Sequence, residues 1–316
     1  MNAVAEHRQV LDVAVAVLQR EDGCVLLAQR PAGKPWEGYW EFPGGKIESG
    51  EAAEQALARE LHEELGVDPD QVYPWVTQEY AYPEKRVRLH FYRVLAWHGQ
   101  LHGREGQSMS WENPSAVNIG PLLPANDKVL RALSLPSVYA ITNAKKYGDT
   151  EFMQRLKAAL EKGVRLVQVR EHDMQPEQLE SFARRVVEMA HAHDARVLVN
   201  GDEALARCCG ADGVHLPGAQ LMRLKQRPGT RMWSASCHDA AELAQAARLS
   251  ADFVVLSPVL PTPTHPDAAG MGWEKLAALV KNYPLPVYAL GGMKPELLDT
   301  AMRYGAHGVS LLSGIW

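Results

Sequence analysis

Apolar and polar positions follow different patterns on the two sides of residue 137. Before it, aliphatic runs at 9–19 and 24–30 flank the turn sequence REDG, which predicts two strands joined by a tight turn. Residues 71–80 and 86–97 alternate apolar and polar positions, as the strands of a hairpin do. The first part of the chain is therefore rich in strands.

Two helices complete this first part. Glu51–Leu65 has helical spacing and acidic residues in its first turn, and Gly66 is placed as a left-handed stop. A second helical pattern covers 126–133. We therefore predict an N-terminal domain over residues 1–133, followed by a short linker, SLPS, at 134–137.

From residue 138 to 316, strand-like and helical patterns alternate. The strand-like runs are VYAIT at 138, VRLVQVR at 164, RVLVN at 196, ADGVHL at 211, RMWSAS at 231, ADFVVLSP at 251, LPVYALGG at 285 and AHGVSLLS at 306. Eight such units are what a (β/α)₈ TIM barrel requires, and GADGV, SADFV and GAHGV repeat the passage from helix to strand. An open doubly wound sheet is the alternative. We predict a two-domain α/β protein whose second domain is the barrel.

Composition narrows the classes of function. The chain has 316 residues, 22% of them charged, and a net charge of −5, so it lacks the basic surface that duplex nucleic acid requires. The apolar run at 10–18 is too short to span a membrane. The cysteines form no CxxC pair, which favours free thiols in the cytoplasm, and we expect Cys208 and Cys209 to be buried. We expect neither a membrane partner nor a duplex nucleic-acid partner.

Glu60, Glu63 and Glu64 are spaced i, i+3 and i+4, so a helix places them on one face. Their mutual repulsion destabilises the helix unless a cation binds, and Mg²⁺ or Mn²⁺ prefers such oxygen ligands. A solvated charged face is the plainer interpretation. The wider pattern argues against it: Gly45, five residues, Glu51, seven residues, then RELxEExGV.

This stretch resembles the signature of the Nudix hydrolases, which cleave a nucleoside diphosphate linked to another group. The resemblance implies an α/β/α sandwich with a mixed sheet. It also implies Mg²⁺, or Mn²⁺, held by Glu60, Glu63, Glu64 and the carbonyl of Gly44, with Arg59 orienting the glutamates. The metal would neutralise the pyrophosphate and activate the attacking water.

The similarity extends to the MutT subgroup, the 8-oxo-dGTP diphosphatases, over residues 8–133. It is carried by LLAQRPAG, WEFPGGKIESGE, YAYPEKRVRLHFYRV, GREGQ and LLPANDKVL. The resemblance implies that Glu105 approaches the metal and that either Glu60 or Glu105 is the general base. It implies further that Arg30 contacts the nucleotide and that Phe42 lines the base pocket.

Two further positions of the subgroup concern the base. Lys85 or Arg86 aligns with an arginine that lies near it. Asn126 would bind the purine edge, because a carboxamide presents a donor and an acceptor together and can read oxidised guanine. The alternative role for Asn126 is to cap a helix that begins at Asp127.

Residues 137–316 resemble the thiamine monophosphate synthases and the TenI-type thiazole tautomerases. The resemblance is carried by VYAIT, VQVRE, GADGVHL, SPVLPTPTH and YALGGM. It implies a thiazole phosphate site at the carboxyl ends of the barrel strands. The residues implied in this site are Thr262, Thr264, Gly291, Gly292, His238, Gln168 and Arg170.

Four departures from the synthase pattern remove charge from this site. His172 and His265 stand where the synthases have lysines. The sequence NGD, ending in Gly201 and Asp202, lacks a metal-binding aspartate and a pyrophosphate-binding arginine, and Gln220 replaces the second metal aspartate. We therefore expect synthase activity to be absent or very weak.

Histidines at predicted strand ends, among them His172, His215 and His265, suit tautomerisation by proton transfer. A lone histidine is more often structural. Cys237 beside His238 suggests a nucleophile pair, but adjacent residues on a strand face opposite sides.

The sequence thus predicts hydrolysis of 8-oxo-dGTP to monophosphate and pyrophosphate, which removes oxidised nucleotides before DNA replication uses them. One alternative is hydrolysis of a thiamine-related pyrophosphate. In another, the barrel binds a thiazole or pyrimidine phosphate as a sensor, or acts as a tautomerase.

Overall fold

The structure is a computed structural model that describes residues 10–83, 85–262 and 270–316. The chain forms two compact units: the first ends at Ser134 and also includes Asn282–Pro284, and the second comprises Leu135–Lys281 and Leu285–Trp316. Within the described ranges, no helix is both long enough and apolar enough to cross a membrane.

The first unit has seven described strands and two described helices. They are β1 (Val10–Leu18), β2 (Val25–Gln29), β3 (Trp40–Glu41), β4 (Gly44–Lys46), α1 (Ala53–Leu65), β5 (Asp68–Ala81), β6 (Arg86–His98), β7 (Met109–Glu112) and α2 (Asn126–Leu133). The order β4–β1–β6–β5 makes a mixed sheet, because β1 runs parallel to β6 and antiparallel to β4. The antiparallel pairing of β5 with β6 confirms the predicted hairpin.

The first two strands are joined by the predicted turn but belong to different sheets. β2 pairs with β3 and β7 in a three-stranded antiparallel sheet. The residue after β1, Gln19, forms an isolated antiparallel bridge with Val25 of β2. Both strands carry buried apolar side chains on both faces, so each one lies inside the unit with neighbours of its own.

The alternation along β1 explains why helices cover both faces of the sheets. Ala14, Ala16 and Leu18 pack with apolar residues of α1, whereas Val15 and Val17 pack in a second cluster with those of α2. A strand directs successive side chains to opposite faces, so β1 contributes to two cores. The predicted sandwich with a mixed sheet is confirmed.

The second unit is a closed barrel of eight parallel strands. Its elements are β8 (Val138–Ile141), α3 (Ala144–Tyr147), α4 (Asp149–Glu161), β9 (Leu166–Val169), α5 (Pro176–His191), β10 (Arg196–Asn200), α6 (Glu203–Cys208), β11 (Gly213–Leu216), α7 (Gly218–Leu221), β12 (Met232–Cys237), α8 (Ala240–Arg248), β13 (Phe253–Leu256), α9 (Gly272–Val280), β14 (Val287–Ala289), α10 (Leu298–Arg303) and β15 (Gly308–Leu311). The first strand, β8, pairs with both β9 and β15. This closure rules out the open sheet, and each of the eight predicted runs overlaps one strand.

One end of the barrel core includes residues that were predicted as a linker. Leu135 packs with Tyr139, Phe253 and Tyr288. Its carbonyl lies 3.0 Å from Nε2 of His307, and the Tyr288 hydroxyl donates to the carbonyl of Pro136. Leu135 and Pro136 are therefore held by the barrel.

Candidate functional site

Two adjacent glycines allow β4 to lie close to both β1 and α1. Gly44 has a φ of +147°, and a Cβ there would overlap the carbonyl oxygen of Ala14. A Cβ on Gly45 would overlap the carboxylate of Glu60. Glycine at both positions therefore brings the Gly44 backbone and the Glu60 carboxylate into one region, as the Nudix resemblance implies.

Arg59 organises the amino-terminal part of this region. Its guanidinium donates to both carboxylate oxygens of Glu51, each at 3.0 Å, and to Glu60 at 2.7 Å. It also donates to the carbonyl of Lys46 at 3.0 Å, which ties α1 to β4. These bonds raise the pKa of Arg59 and lower the pKa of Glu51. Arg59 thus links Glu60 of α1 to Glu51 and to β4.

Glu64 lies in a field of negative charge. Burial, together with repulsion from Glu60, Glu105 and Glu41, raises its pKa to about 7. Glu63 instead points outward, with a 60% exposed side chain whose carboxylate is 3.6 Å from Arg59. Glu41 was not predicted as a site residue, although it lies within the WEFPGG segment.

Glu105 reaches this charge cluster from a loop and forms an ion pair with Lys34. Within the described part of the chain, no three His, Cys, Asp or Glu side chains are gathered as a ready-made metal site. Glu60 faces Arg59 and Glu105 faces Lys34.

The residues nevertheless fit a divalent cation in their chemistry. Their donors are hard carboxylate oxygens, the type that Mg²⁺ prefers. Glu60 occupies a space that any side chain on Gly45 would fill, and Glu64 bears the repulsion of three neighbouring carboxylates. A cation would relieve this repulsion.

Of the residues predicted to bind the nucleotide, Arg30 follows β2, Phe42 follows β3 and Lys85 precedes β6. Arg30 forms an ion pair with Glu41 and donates to the carbonyl of Pro35 at 2.6 Å. Phe42 is buried and meets Phe91 edge to face. Burial raises the pKa of Glu41, and the charge of the exposed Lys85 offsets a small part of this effect.

Asn126 is 4% exposed and donates from Nδ2 to the carbonyl of Trp40 at 3.1 Å. It does not cap α2: the helix begins at Asn126 itself, and the cap position belongs to Ala125. The alternative role of Asn126 as a cap is therefore wrong, because the side chain bonds to β3 instead.

An aromatic group beside Arg30 and Glu41 was not predicted. Trp36 is 40% exposed with a positive φ, and its ring lies 5.1 Å from that of Tyr39 and 5.8 Å from that of Tyr82. The tyrosines of YAYPEK were the available signal, but pairing them with Trp36 requires the fold.

In the barrel, Gln168 and His215 meet in a buried polar network. Gln168 donates to the Tyr139 hydroxyl at 3.1 Å. The nitrogens of His215 lie 2.7 Å from Oγ of Ser234 and 2.8 Å from Oγ of Ser236. Burial lowers the pKa of His215 to about 3, and the charge of Arg170 contributes. His215 is therefore neutral at physiological pH.

The positions that lack the synthase aspartates are neighbours in the barrel. A Cβ on Gly201 would lie 3.4 Å from Nε2 of Gln220. Asp202 caps α6 by accepting a hydrogen bond from the Leu205 amide at 2.8 Å. No carboxylate at 201 or 220 is therefore available to share a metal ion.

The implied phosphate contacts of the barrel are placed in part. Thr264 lies outside the described residues, as does His265, whereas Thr262 lies within them. Gly291 and Gly292 have positive φ, and a Cβ on either would clash with the segment 258–261, so close packing already requires glycine at both positions. His238 is half exposed and bonds to Glu242 at 2.9 Å.

The four cysteines are free thiols. Burial raises the pKa of Cys237 well above its usual range, which does not suit a nucleophile. Cys209 is buried as expected. Cys208 is exposed, so that expectation was wrong: it ends α6 on the solvent side, where Arg184 donates to it at 2.8 Å.

The fold and the acidic helix define a Nudix pyrophosphohydrolase unit joined to a parallel barrel. Residues 9–133 match the NUDIX domain family, and residues 138–315 match the thiamine monophosphate synthase family. The chain belongs to both families, one through each unit.

Three relatives illustrate this composite origin. The chain is 35% identical over 183 residues to "Putative thiamine-phosphate synthase 2" of Aquifex aeolicus, over 57% of this chain and 98% of the relative. It is 37% identical over 126 residues to the 8-oxo-dGTP diphosphatase of Haemophilus influenzae, over 40% of this chain and 93% of the relative. It is 38% identical over 124 residues to the CTP pyrophosphohydrolase of Escherichia coli, over 39% of this chain and 91% of the relative.

Proposed function

We propose that the Nudix unit hydrolyses 8-oxo-dGTP, and other oxidised purine nucleoside triphosphates, with Mg²⁺ or Mn²⁺. Water adds as one phosphoanhydride bond breaks, and the products are the monophosphate and pyrophosphate. The reaction removes oxidised nucleotides from the pool used for DNA synthesis. The free cysteines are consistent with a cytoplasmic location.

The orientation of Asn126 carries this proposal. Its amide nitrogen donates to the Trp40 carbonyl, which leaves the amide oxygen to accept a hydrogen bond from a ligand. Guanine presents an acceptor at N7, whereas 8-oxoguanine carries a hydrogen there. An acceptor from the protein therefore favours the oxidised base, because guanine would place two acceptors face to face.

The acidic residues supply the reaction. Glu60, Glu63, Glu64, Glu105 and the Gly44 carbonyl would hold the metal, which when bound neutralises phosphate charge and lowers the pKa of water. Arg59 holds Glu60 in place through its bonds to Glu51 and β4. Glu60 or Glu105 takes the proton from the attacking water.

A substrate comparison tests the proposal. Pyrophosphate release by the full chain with Mg²⁺ should show a higher kcat/KM for 8-oxo-dGTP than for dGTP, CTP, ADP-ribose or thiamine pyrophosphate. CTP belongs in this set because of the similarity to a CTP pyrophosphohydrolase. Equal or higher kcat/KM for CTP or dGTP would overturn the assignment of the oxidised base.

A thiamine-related pyrophosphate is the second candidate substrate, and the thiamine-type barrel on the same chain favours it. Preference for thiamine or aminopyrimidine pyrophosphate would join the two units in one pathway. The barrel itself we propose to be a binding module for a thiazole or pyrimidine phosphate. Calorimetric titration with thiazole phosphate should give heat without product, and absence of heat across both ligand types would contradict this role.

A further inference from the structure

A short loop closes the carboxyl end of α1. The amide of Arg104 donates to the carbonyl of Glu64 at 2.9 Å, and the amide of His102 donates to the carbonyl of Leu65 at 3.1 Å. The carbonyls of a helix's last turn have no hydrogen-bond donor within the helix, so the amides of this loop act as their donors. Glu105 is the next residue, and its position therefore depends on how the loop is attached to α1.

The side chain of Gln107 makes one hydrogen bond to α1 and one to the backbone of Glu105 in the loop. Its Nε2 donates to the carbonyl of Glu64 at 3.0 Å, and its Oε1 accepts from the amide of Glu105 at 2.9 Å. One half-buried carboxamide thus joins the backbones of two acidic residues that are distant in sequence. Gly103 permits the tight fold, since a Cβ there would overlap the Gln107 carbonyl.

The Glu105 side chain has few other constraints. Its carboxylate is 42% exposed and pairs with a lysine that is itself 47% exposed. Exposed ion pairs contribute little to holding a geometry, whereas backbone hydrogen bonds from a half-buried amide define one.

We propose that Gln107 is a positioning residue that fixes the Glu105 carboxylate against the glutamates of α1 and so sets the affinity for the divalent cation. The proposal rests on the metal site of the proposed function. It does not depend on which nucleotide the protein hydrolyses. A purely structural role, as a helix cap, would stabilise the fold without acting through Glu105.

A double-mutant cycle read by Mn²⁺ binding separates these roles. Electron paramagnetic resonance of free Mn²⁺ gives the Kd for the full chain and for Gln107→Met, Glu105→Gln and the double variant. We expect Gln107→Met to weaken binding on the order of 10-fold, the usual effect of losing an outer-shell partner. In the Glu105→Gln background the same change should have less than about a twofold effect, because positioning acts only through Glu105.

Gln19→Met is the matched control. Gln19 is also half-buried and bridges two groups, accepting from Arg93 at 2.7 Å and donating to Gly23, but it lies outside the acidic site. Its Mn²⁺ Kd should stay at the wild-type value. Gln107→Asn, whose amide is one methylene too short to span both groups, replaces Gln107→Met if circular dichroism shows that variant unfolded.

Two results would overturn the proposal. An unchanged Kd in the folded Gln107 variant would show that the bridge does not position Glu105. Equal weakening in both backgrounds would show that Gln107 acts independently of Glu105. The Mn²⁺ Kd is measured without nucleotide. It therefore tests the role of Gln107 even if the wild-type protein does not hydrolyse 8-oxo-dGTP.

Discussion

The carboxylate of Glu60 occupies the space in which a side chain on Gly45 would have to lie. Gly45 is in the middle of β4, paired with Ala14 of β1, and Glu60 is on the second turn of α1. The glycine and the glutamate of the Nudix signature are therefore one packing unit. A residue larger than glycine would have to displace either the strand or the carboxylate.

Gly45→Ala should displace Glu60 while leaving the fold intact, because a flexible side chain moves more easily than a strand. Misplacement of a catalytic group by about 1 Å can cost roughly 100-fold, and we expect a loss of that size in kcat/KM. Gly120→Ala is the control, since a Cβ there would meet only the Leu122 amide at 3.9 Å. A kcat/KM near the wild-type value in a folded Gly45→Ala protein would show that Gly45 is not needed to position Glu60.

Glu60→Gln tests the carboxylate itself. A bound cation contributes several kcal/mol to the transition state, so turnover should fall by roughly 10²- to 10⁴-fold. The metal-free protein should change in stability by less than about 1 kcal/mol, because relief of repulsion from Glu64 offsets the loss of a partly exposed ion pair with Arg59. Steady-state kinetics and urea unfolding in chelator measure both effects. A near-normal rate would mean that the glutamates do not hold the metal.

The sequence predicts best those features whose residues are close together along the chain. The pattern of α1 specifies its face of glutamates and its stop at Gly66, which has a φ of +71°. The eight strand-like runs predict the barrel, because each run is bounded by its own turns and helices. The helix and the individual strands need only neighbouring residues, whereas closure of the barrel needs the pairing of β8 with β15.

The remaining features needed the fold. Lys34 and Glu105 are 71 residues apart, and neither residue's surroundings in the sequence indicate the pair. Arg30 pairs with Glu41 across the β2–β3 ladder, and the separation of β1 from β2 follows from their partners in two sheets. Asn126 could be read as a helix cap until its bond to Trp40 was visible.

Asn126→Ala should reduce discrimination between the oxidised and the normal base. The variant loses the acceptor that distinguishes a hydrogen at N7 from a lone pair, so the ratio of kcat/KM for 8-oxo-dGTP to that for dGTP should fall about 10- to 100-fold. The rate with dGTP should change much less. A parallel loss for both nucleotides would assign Asn126 a structural role through Trp40.

The buried histidine of the barrel should make that unit sensitive to acid. The pKa of His215 is about 3 in the folded state, whereas an unfolded histidine titrates near 6.5, so the unfolded state binds more protons between these values. The contribution of neutral His215 to the free energy of unfolding is therefore complete above about pH 6.5 and decreases as the pH falls toward 3. At pH 4 the free energy of unfolding should be lower by about 3 kcal/mol.

The matched variant is His215→Gln, which does not titrate in this range. Hydrogen exchange of peptides from β11 and β12 in urea should show the wild type losing more stability between pH 7 and pH 4 than the variant. An equal loss in both proteins would place the acid sensitivity in other groups.

The barrel should form no thiamine phosphate from thiazole phosphate and aminopyrimidine pyrophosphate. Gly201 and Gln220 face each other without a carboxylate, so two anions that would hold Mg²⁺ beside a pyrophosphate are missing. Asp202 does not replace them, because its side chain caps α6. The assay should be run with Mg²⁺ at saturating concentrations of both substrates, against a protein-free blank. Product above that background would show that the barrel binds the pyrophosphate by other residues and that the loss of charge does not abolish the synthase reaction.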